Sequence, residues 1–119
     1  MSEEPKVFDL EHLRMVCGED PAFEREILGD YLDQAEPQVA RLEAAALASD
    51  PVELKFVAHA LTGSSRSIGA VAFGDACAHL EAIAKRGALD EAPAALPRAL
   101  EEWRRLREAL RAHRERLAA

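Results

Sequence analysis

Apolar residues recur every three or four positions along most of this chain, the spacing of a helix that buries one face. The clearest stripe lies in the middle of the sequence and consists of Leu54, Val57, Ala58, Leu61, Ser65 and Ile68. On a helix that turns about 100° per residue, His59 lies almost opposite this stripe. The pattern therefore predicts a histidine that points away from the core.

Aspartates precede the starts of three predicted helices, and a side-chain carboxylate is a good cap for the first free backbone amides. Two of these aspartates are followed by proline, which is favoured at the first helical position. The three helices are predicted to run from Asp9 to about Cys17, from Asp20 to about Ala48, and from Asp50 to near Ile68 and Gly69. Pro37 lies inside the second helix and should bend it, because proline removes a backbone donor.

Two more helices follow. The fourth is predicted from Val71 or Ala72 to Arg86, where Gly87 stops it. The start of the fifth stays open between residues 88 and 97, because prolines and a capping aspartate compete there. The predicted apolar stripes are Phe23, Ile27, Tyr31 or Leu32, Ala35, Val39, Leu42 and Ala46 in the second helix and Phe73, Ala76, Cys77, Leu80 and Ala84 in the fourth. The register of the fifth helix is given by Leu96, Leu100, Trp103, Leu106 or Arg107, Leu110, Arg114 and Leu117.

Short loops between long amphipathic helices favour an antiparallel arrangement. The expected fold is all-α: an up-and-down four-helix bundle with an additional short N-terminal helix as a lid. A single domain is expected over residues 1–119, with the bundle core at about 20–117, and residues 1–7 are expected to be a loose end. Cys77 is expected to be a buried, reduced thiol.

Charge and hydropathy narrow the range of partners. The net charge of −7 over 119 residues argues against a nucleic-acid partner. The last 22 residues carry a net charge of +3, which fits a solvated helix face with ion pairs better than a docking patch. No secretory segment or long apolar stretch is present. We therefore expect a cytoplasmic protein that does not enter the membrane. A monomer is also expected.

The run that begins at His59 resembles the signature of the histidine-containing phosphotransfer (HPt) domains, roughly His-x-Leu-Lys-Gly-Ser-Ser/Ala-x-x-hydrophobic-Gly. Thr62 stands where that family usually has lysine. The residues that match in register are His59, Leu61, Gly63, Ser64, Ser65, Ile68 and Gly69.

The resemblance implies that His59 accepts and donates a phosphoryl group in a multistep phosphorelay. The partners would be receiver domains of a hybrid sensor kinase and of a response regulator. A neutral imidazole, with an ordinary pKa of about 6.5, is a suitable nucleophile for such a transfer. The protein itself is expected to need no cofactor, because the partner receiver would supply the divalent metal ion. No glycine-rich phosphate loop occurs, so we expect a phosphocarrier without autokinase activity.

Several side chains are candidates to neighbour the phosphoryl group. Lys55 and Arg66 share the outer sector of the third helix with His59 and carry the charge that Thr62, expected to be exposed, lacks. Glu81 matches a position that in the family often faces the histidine. Lys85 or Arg86 could add a cation from the fourth helix.

A docking surface is predicted around His59 on the third helix. Val52 and Phe56 are apolar residues on the outer face, and exposed apolar groups beside a reactive residue often mark an interface. Gly63, one turn after His59, would leave room for the partner and the phosphoryl oxygens. The small residues Ser64, Ser65 and Gly69 would let the third and fourth helices pack closely.

Three other functions are considered: an adaptor, a structural bundle and a metal-dependent enzyme. An HPt-like adaptor that binds receiver or kinase domains without carrying phosphate is the main alternative, and Thr62 favours it slightly. A purely structural bundle is disfavoured by the outward apolar residues. A metal-dependent enzyme is disfavoured because no His or Cys pair has ligand spacing. The remaining histidines, His12, His79 and His113, are expected to be structural or solvated.

Overall fold

The structure, a computed structural model, describes residues 7–118 of the chain. Within that range the chain is helical, with no β-strand. A 3₁₀ turn at Leu89–Glu91 precedes the last helix. The five α-helices are α1 (Leu10–Val16), α2 (Pro21–Leu47), α3 (Pro51–Ser67), α4 (Val71–Arg86) and α5 (Ala92–Ala118).

The predicted helix caps are confirmed. The side chain of Asp9 accepts a hydrogen bond from the amide of His12 at 3.2 Å, and Asp20 accepts from the amide of Ala22 at 3.0 Å. Asp50 caps α3 in the same way and accepts a hydrogen bond from the amide of Glu53 at 3.2 Å. At the end of α4, Gly87 adopts a left-handed conformation with φ of 71°, which glycine reaches without steric cost.

The structure also resolves the start of the last helix. The 3₁₀ turn leads directly into α5 at Ala92, so Pro93 lies in the first turn, where a missing backbone donor costs little. Pro97 and Pro37 both lie inside continuous helices.

The four long helices enclose one hydrophobic core. α2 packs against α3 and α5, and α4 packs against the same two helices. At the centre, the Trp103 ring of α5 lies between Tyr31 of α2 and Phe73 of α4, with ring centroids 6.3 and 5.4 Å away. The core face predicted for α3 and the stripe predicted for α4 are buried, as expected.

The predicted stripe of α2 is wrong at its first position. Phe23 is exposed, whereas Glu24, the next residue, is buried. The Glu24 carboxylate lies 2.5 Å from Nε2 of His113 on α5, and both side chains are almost fully shielded from solvent. At this end of the bundle α2 is therefore rotated so that Glu24, and not Phe23, faces α5.

α1 covers the end of the core near the α3–α4 turn. Leu13 and Cys17 are buried, and the amide of Asp9 donates to the carbonyl of Gly69 at 2.9 Å. Gly69 has a φ of 82°, and a Cβ there would lie 2.9 Å from the carbonyl oxygen of Asp9. Gly69 is thus required for the turn and for the approach of the segment before α1.

That the small residues let α3 and α4 pack closely stays a prediction, and two of the three have contacts outside that helix pair. Gly69 admits the N-terminal segment, and the Ser65 hydroxyl faces α2, where it lies 2.7 Å from the hydroxyl of Tyr31. Ser64 is half-buried, with its hydroxyl 3.5 Å from the carbonyl of Leu61 on its own helix.

None of the helices formed by residues 7–118 is both long enough and apolar enough to cross a membrane. Most of the predicted loose N-terminal end, residues 1–6, lies outside the described part of the chain, as does residue 119.

Candidate functional site

His59 lies on the outer side of α3, as its position opposite the apolar stripe predicts. Its side chain is 78% exposed, although Nδ1 lies 2.8 Å from Oε2 of Glu81 on α4. One edge of the imidazole is therefore held against the neighbouring helix. The rest of the ring projects into solvent.

Glu81 is the group that orients this ring. Its side chain is only 11% exposed. Burial tends to raise the pKa of Glu81, but hydrogen bonds from His59 and Lys85 outweigh that effect and hold the pKa below its ordinary value. The carboxylate is therefore ionised at neutral pH and can only accept a hydrogen bond. It selects the tautomer of a neutral His59 in which Nδ1 carries the proton and Nε2 keeps its lone pair.

Lys85 is the third member of this polar cluster. Its Nζ lies 3.3 Å from the same Glu81 oxygen that receives Nδ1 of His59. The Lys85 side chain is about half exposed, so its remaining donors are accessible from outside. The structure thus brings together His59, Glu81 and Lys85. The contact of Glu81 with His59 is the one that the family resemblance implied, and Lys85 is one of the two cations considered on α4.

Thr62 does not lie where it was expected. It is buried, and its hydroxyl donates to the carbonyl of Ala58 on its own helix at 2.7 Å. Threonine commonly makes this bond to the preceding turn inside a helix. The expectation of an exposed Thr62 is therefore wrong, and its hydroxyl is engaged within α3.

Two of the candidate cations are directed elsewhere. The guanidinium of Arg66 pairs with Asp75 at 2.9 Å, and its aliphatic stem crosses Gly74, where a Cβ would lie 3.0 Å from Cγ. Arg86 lies 3.7 Å from Glu91, beside the 3₁₀ turn. Both guanidinium groups are therefore already engaged with carboxylates other than Glu81.

An open groove of about 700 Å³ lies between α3 and α4 beside His59. It is lined by apolar and charged residues, with Val52 and Phe56 78% and 66% exposed. The predicted surface residues therefore lie together at the solvent boundary. The lining comprises Pro51, Val52, Lys55, Phe56, His59, Ala60, Glu81, Ala84 and Lys85.

Arg41 of α2 is a neighbour of this surface that the sequence did not indicate. Its guanidinium carbon lies 5.9 Å from the centroid of the Phe56 ring, within the range of a cation–π contact. Arg41 also pairs with Glu53. No local signal could identify it, because the contact depends on how α2 and α3 lie side by side.

Gly63 differs from the other helical glycines of the bundle. A Cβ at Gly63 would meet no atom within 4 Å, whereas one at Gly29 would lie 2.7 Å from Arg114 and one at Gly74 would meet Arg66. Glycine inside a helix costs about 1 kcal/mol relative to alanine. Packing among the described residues therefore does not explain why position 63 is a glycine. Its missing side chain leaves open space on the helix surface one turn from His59.

The cysteines belong to the core. Cys17 and Cys77 are both buried and unpaired by disulfide, and burial raises the pKa of the Cys77 thiol to about 12. The predicted buried thiol at Cys77 is confirmed. Among residues 7–118, no cluster of three or more His, Cys, Asp or Glu side chains could hold a metal ion.

Comparisons with known proteins agree with this geometry. Residues 26–116 match the family model described as the Hpt domain. The fold is similar to that of histidine-containing phosphotransfer protein B (HptB) from Pseudomonas aeruginosa PAO1, a crystal structure. The TM-score is 0.86, the sequence identity is 27%, and the match covers 95% of this chain and 98% of HptB. A comparison with curated proteins finds no match.

Proposed function

This chain belongs to the Hpt domain family, and on that premise we propose that it shuttles a phosphoryl group between receiver domains through Nε2 of His59. Members of this family are phosphocarriers rather than enzymes. The observation that carries the assignment to His59 is its combination of an exposed ring and an anchored Nδ1. We infer no ATP site or autokinase activity in this chain.

The proposed transfer uses the lone pair of Nε2. It attacks the phosphorus of a phosphoaspartate on the receiver, so that an N–P bond forms while the bond from phosphorus to the aspartate oxygen breaks. The aspartate leaves as a carboxylate, and no proton has to move. Attack in the reverse direction, by an aspartate oxygen on phosphohistidine, returns the group to a receiver.

Glu81 acts in this scheme by holding the proton on Nδ1. When Nε2 bonds to phosphorus the imidazole gains positive charge, and a carboxylate 2.8 Å from Nδ1 stabilises that charge. The same hydrogen bond keeps Nε2 pointed outward. Glu81 is thus a positioning residue that also supports the charge of the product.

The groove beside His59 is the proposed docking site for the receiver. Val52 and Phe56 offer apolar contact, and Gly63 leaves the approach to Nε2 open. The divalent metal ion that phosphoryl transfer requires would be held by the receiver. One receiver would belong to a hybrid sensor kinase and the other to a response regulator, and the protein would act as a monomer.

We also propose that the four long helices form an antiparallel up-and-down bundle. Contacts between neighbouring helices support it: Glu24 of α2 meets His113 near the end of α5, whereas Glu36, further along α2, meets Arg107, which comes earlier in α5. An opposed order of this kind is expected for antiparallel neighbours.

A transfer assay tests the assignment of His59. Incubation with a phosphorylated receiver domain should label the protein with acid-labile phosphate, and His59→Gln should abolish the label. His79→Gln is the matched control, because His79 is also exposed but lies on α4 without the surrounding motif. Undiminished labelling of the His59 variant would overturn the proposal.

A second candidate function is an adaptor that binds receiver domains without accepting phosphate. The observation that favours it is Thr62, which brings no charge to the site and turns its hydroxyl into its own helix. The same assay decides between the two functions. If the protein is an adaptor, the wild type should bind the receiver domain but should not become labelled with phosphate.

A further inference from the structure

We propose that Lys85 is the phosphoryl-neutralising cation of this protein, reaching His59 from α4 through its contact with Glu81. The inference rests on the proposed function, because it concerns the phosphorylated state of His59. Its structural basis is that one oxygen of Glu81 lies 2.8 Å from Nδ1 of His59 and 3.3 Å from Nζ of Lys85.

The need for such a cation follows from the charges at the site. A phosphoryl group on nitrogen carries up to two negative charges, and Glu81 adds another on the opposite edge of the same ring. Like charges at this separation repel, and the repulsion opposes the arrival of the phosphoryl group. An ammonium group that already contacts Glu81 balances that carboxylate, and its flexible stem lets it extend toward the phosphoryl oxygens.

Lys85 is better placed for this role than the other nearby cations. Arg66 and Arg86 are paired with Asp75 and Glu91. Lys55 lines the groove from α3 but has no ion pair with any residue of the described range. Ordering its long side chain would therefore cost conformational entropy, whereas Glu81 already restrains Lys85.

The chemistry of an ammonium group allows Lys85 to serve both partners. Lysine has three donors on a flexible stem. One donor can stay on Glu81 while the others turn to the phosphoryl oxygens. The Lys85 side chain is half-exposed and the His59 side chain is largely exposed, so both are accessible from solvent. Lys85 would thus contact the phosphoryl group directly and not only screen Glu81.

The experiment phosphorylates the protein with phosphoramidate, a small donor that needs no receiver, so that a docking role for Lys85 does not contribute. ³¹P NMR then follows the titration of the phosphoryl group. In Lys85→Met we expect the titration midpoint to rise by about 0.5 to 1 pH unit, because a neighbouring cation favours the dianion. The rate of phosphorylation should fall by about three- to tenfold.

Matched variants make the result specific. Lys85→Arg should restore most of the rate, and Arg86→Met, which removes the same charge from the adjacent position, should leave the midpoint unchanged. Direct contact also predicts that Lys85→Met raises the midpoint in a Glu81→Gln background. A change seen only while Glu81 is present would mean that Lys85 merely screens that carboxylate, and would overturn the inference.

The failure of this inference is distinguishable from the failure of the proposed function. If the wild-type protein forms no phosphohistidine with either a phosphorylated receiver or phosphoramidate, the proposed function fails. If it forms phosphohistidine but Lys85→Met behaves as the wild type, only the role of Lys85 is overturned. A midpoint that rises in Lys55→Met and not in Lys85→Met would likewise overturn it and assign the role to Lys55.

Discussion

This protein contains two histidine–glutamate pairs with the same chemistry and opposite surroundings. In the first, His59 of α3 meets Glu81 of α4 at 2.8 Å, and the histidine side chain is 78% exposed. In the second, His113 of α5 meets Glu24 of α2 at 2.5 Å, and the two side chains are 6% and 4% exposed. Burial is therefore the main difference between the two pairs.

The difference shows how one pair of residue types serves two purposes. At the exposed site only one edge of the imidazole is bound, so the other edge can react with a molecule from outside. At the buried site the pair joins two helices, and the Phe8 ring lies 5.7 Å from the His113 ring between centroids. A buried charge or polar group without its partner is costly. We therefore expect the buried pair to matter for stability and the exposed pair for reactivity.

The largest expected effect is the loss of stability in His113→Ala. The substitution leaves Glu24 buried without its partner and opens a cavity, so the free energy of unfolding should fall by about 3 kcal/mol. Chemical denaturation monitored by circular dichroism measures it. Glu24→Gln, which keeps a hydrogen-bonding group of the same size, is the milder control. A loss below about 0.5 kcal/mol in His113→Ala would remove the distinction between the pairs.

The second prediction concerns the surface around the exposed pair. Phe56→Ala should weaken receiver binding by about tenfold but change the free energy of unfolding by less than about 1 kcal/mol, because the ring is largely exposed. Binding calorimetry and thermal unfolding of the same variant test both parts. If Phe56→Ala unfolds the protein without affecting binding, the proposed docking surface is wrong.

Gly63→Gln is the companion variant for that surface. A side chain at position 63 would meet no described atom of the protein itself, so the fold should tolerate it. It would occupy the approach to Nε2, however, and phosphoryl transfer from a receiver should fall by at least about tenfold. Phosphorylation by phosphoramidate, which needs less space, should be affected less. Normal transfer from the receiver would show that Gly63 lies outside the contact.

A smaller stability effect is expected for Glu81→Gln, with a defined pH dependence. The pKa of Glu81 lies below its ordinary value of 4.5 in the folded protein. Its pairing therefore contributes stability above that ordinary value, and the contribution is lost as pH falls through the folded pKa. At pH 7 the variant should lose about 1 kcal/mol or less.

Unfolding of wild type and Glu81→Gln at a series of pH values tests this pH dependence. The difference in unfolding free energy between wild type and Glu81→Gln should shrink as pH falls below about 4.5. A difference that grows in acid would contradict the ionised state of Glu81. Phosphoryl transfer should fall more clearly than stability, because glutamine stabilises the positively charged imidazole of the product less well than a carboxylate does.

The smallest effect is expected for Thr62→Val. The hydroxyl of Thr62 bonds only to the turn before it, so its loss should cost about 0.5 to 1 kcal/mol and leave phosphorylation of His59 unchanged. Phosphoramidate labelling and denaturation of the variant test these two expectations. Slower labelling at unchanged stability would place the Thr62 hydroxyl in the reaction after all.

Local sequence determined the helices and the direction of His59. The aspartate caps depend on bonds to amides two or three residues away, and the stripe from Leu54 to Ile68 depends only on helical periodicity. Both are local properties, so the sequence was sufficient to predict them. The start of α5 is not predictable from the sequence, because Pro93, Pro97 and the capping candidate Asp90 give competing local signals.

Tertiary structure decided which polar groups meet. The pairing of Glu81 with His59 depends on the rotation of α4 against α3, and that of Glu24 with His113 depends on the rotation of α2 against α5. The contact of Glu81 with Lys85, in contrast, joins residues four apart on α4 and is local. Apolar stripes are broad, so they define such rotations only to within about one residue, and the stripe of α2 therefore predicts a buried Phe23 where the structure buries Glu24. Hydrogen bonds and ion pairs between helices depend on a few ångströms, and only packing supplies that precision.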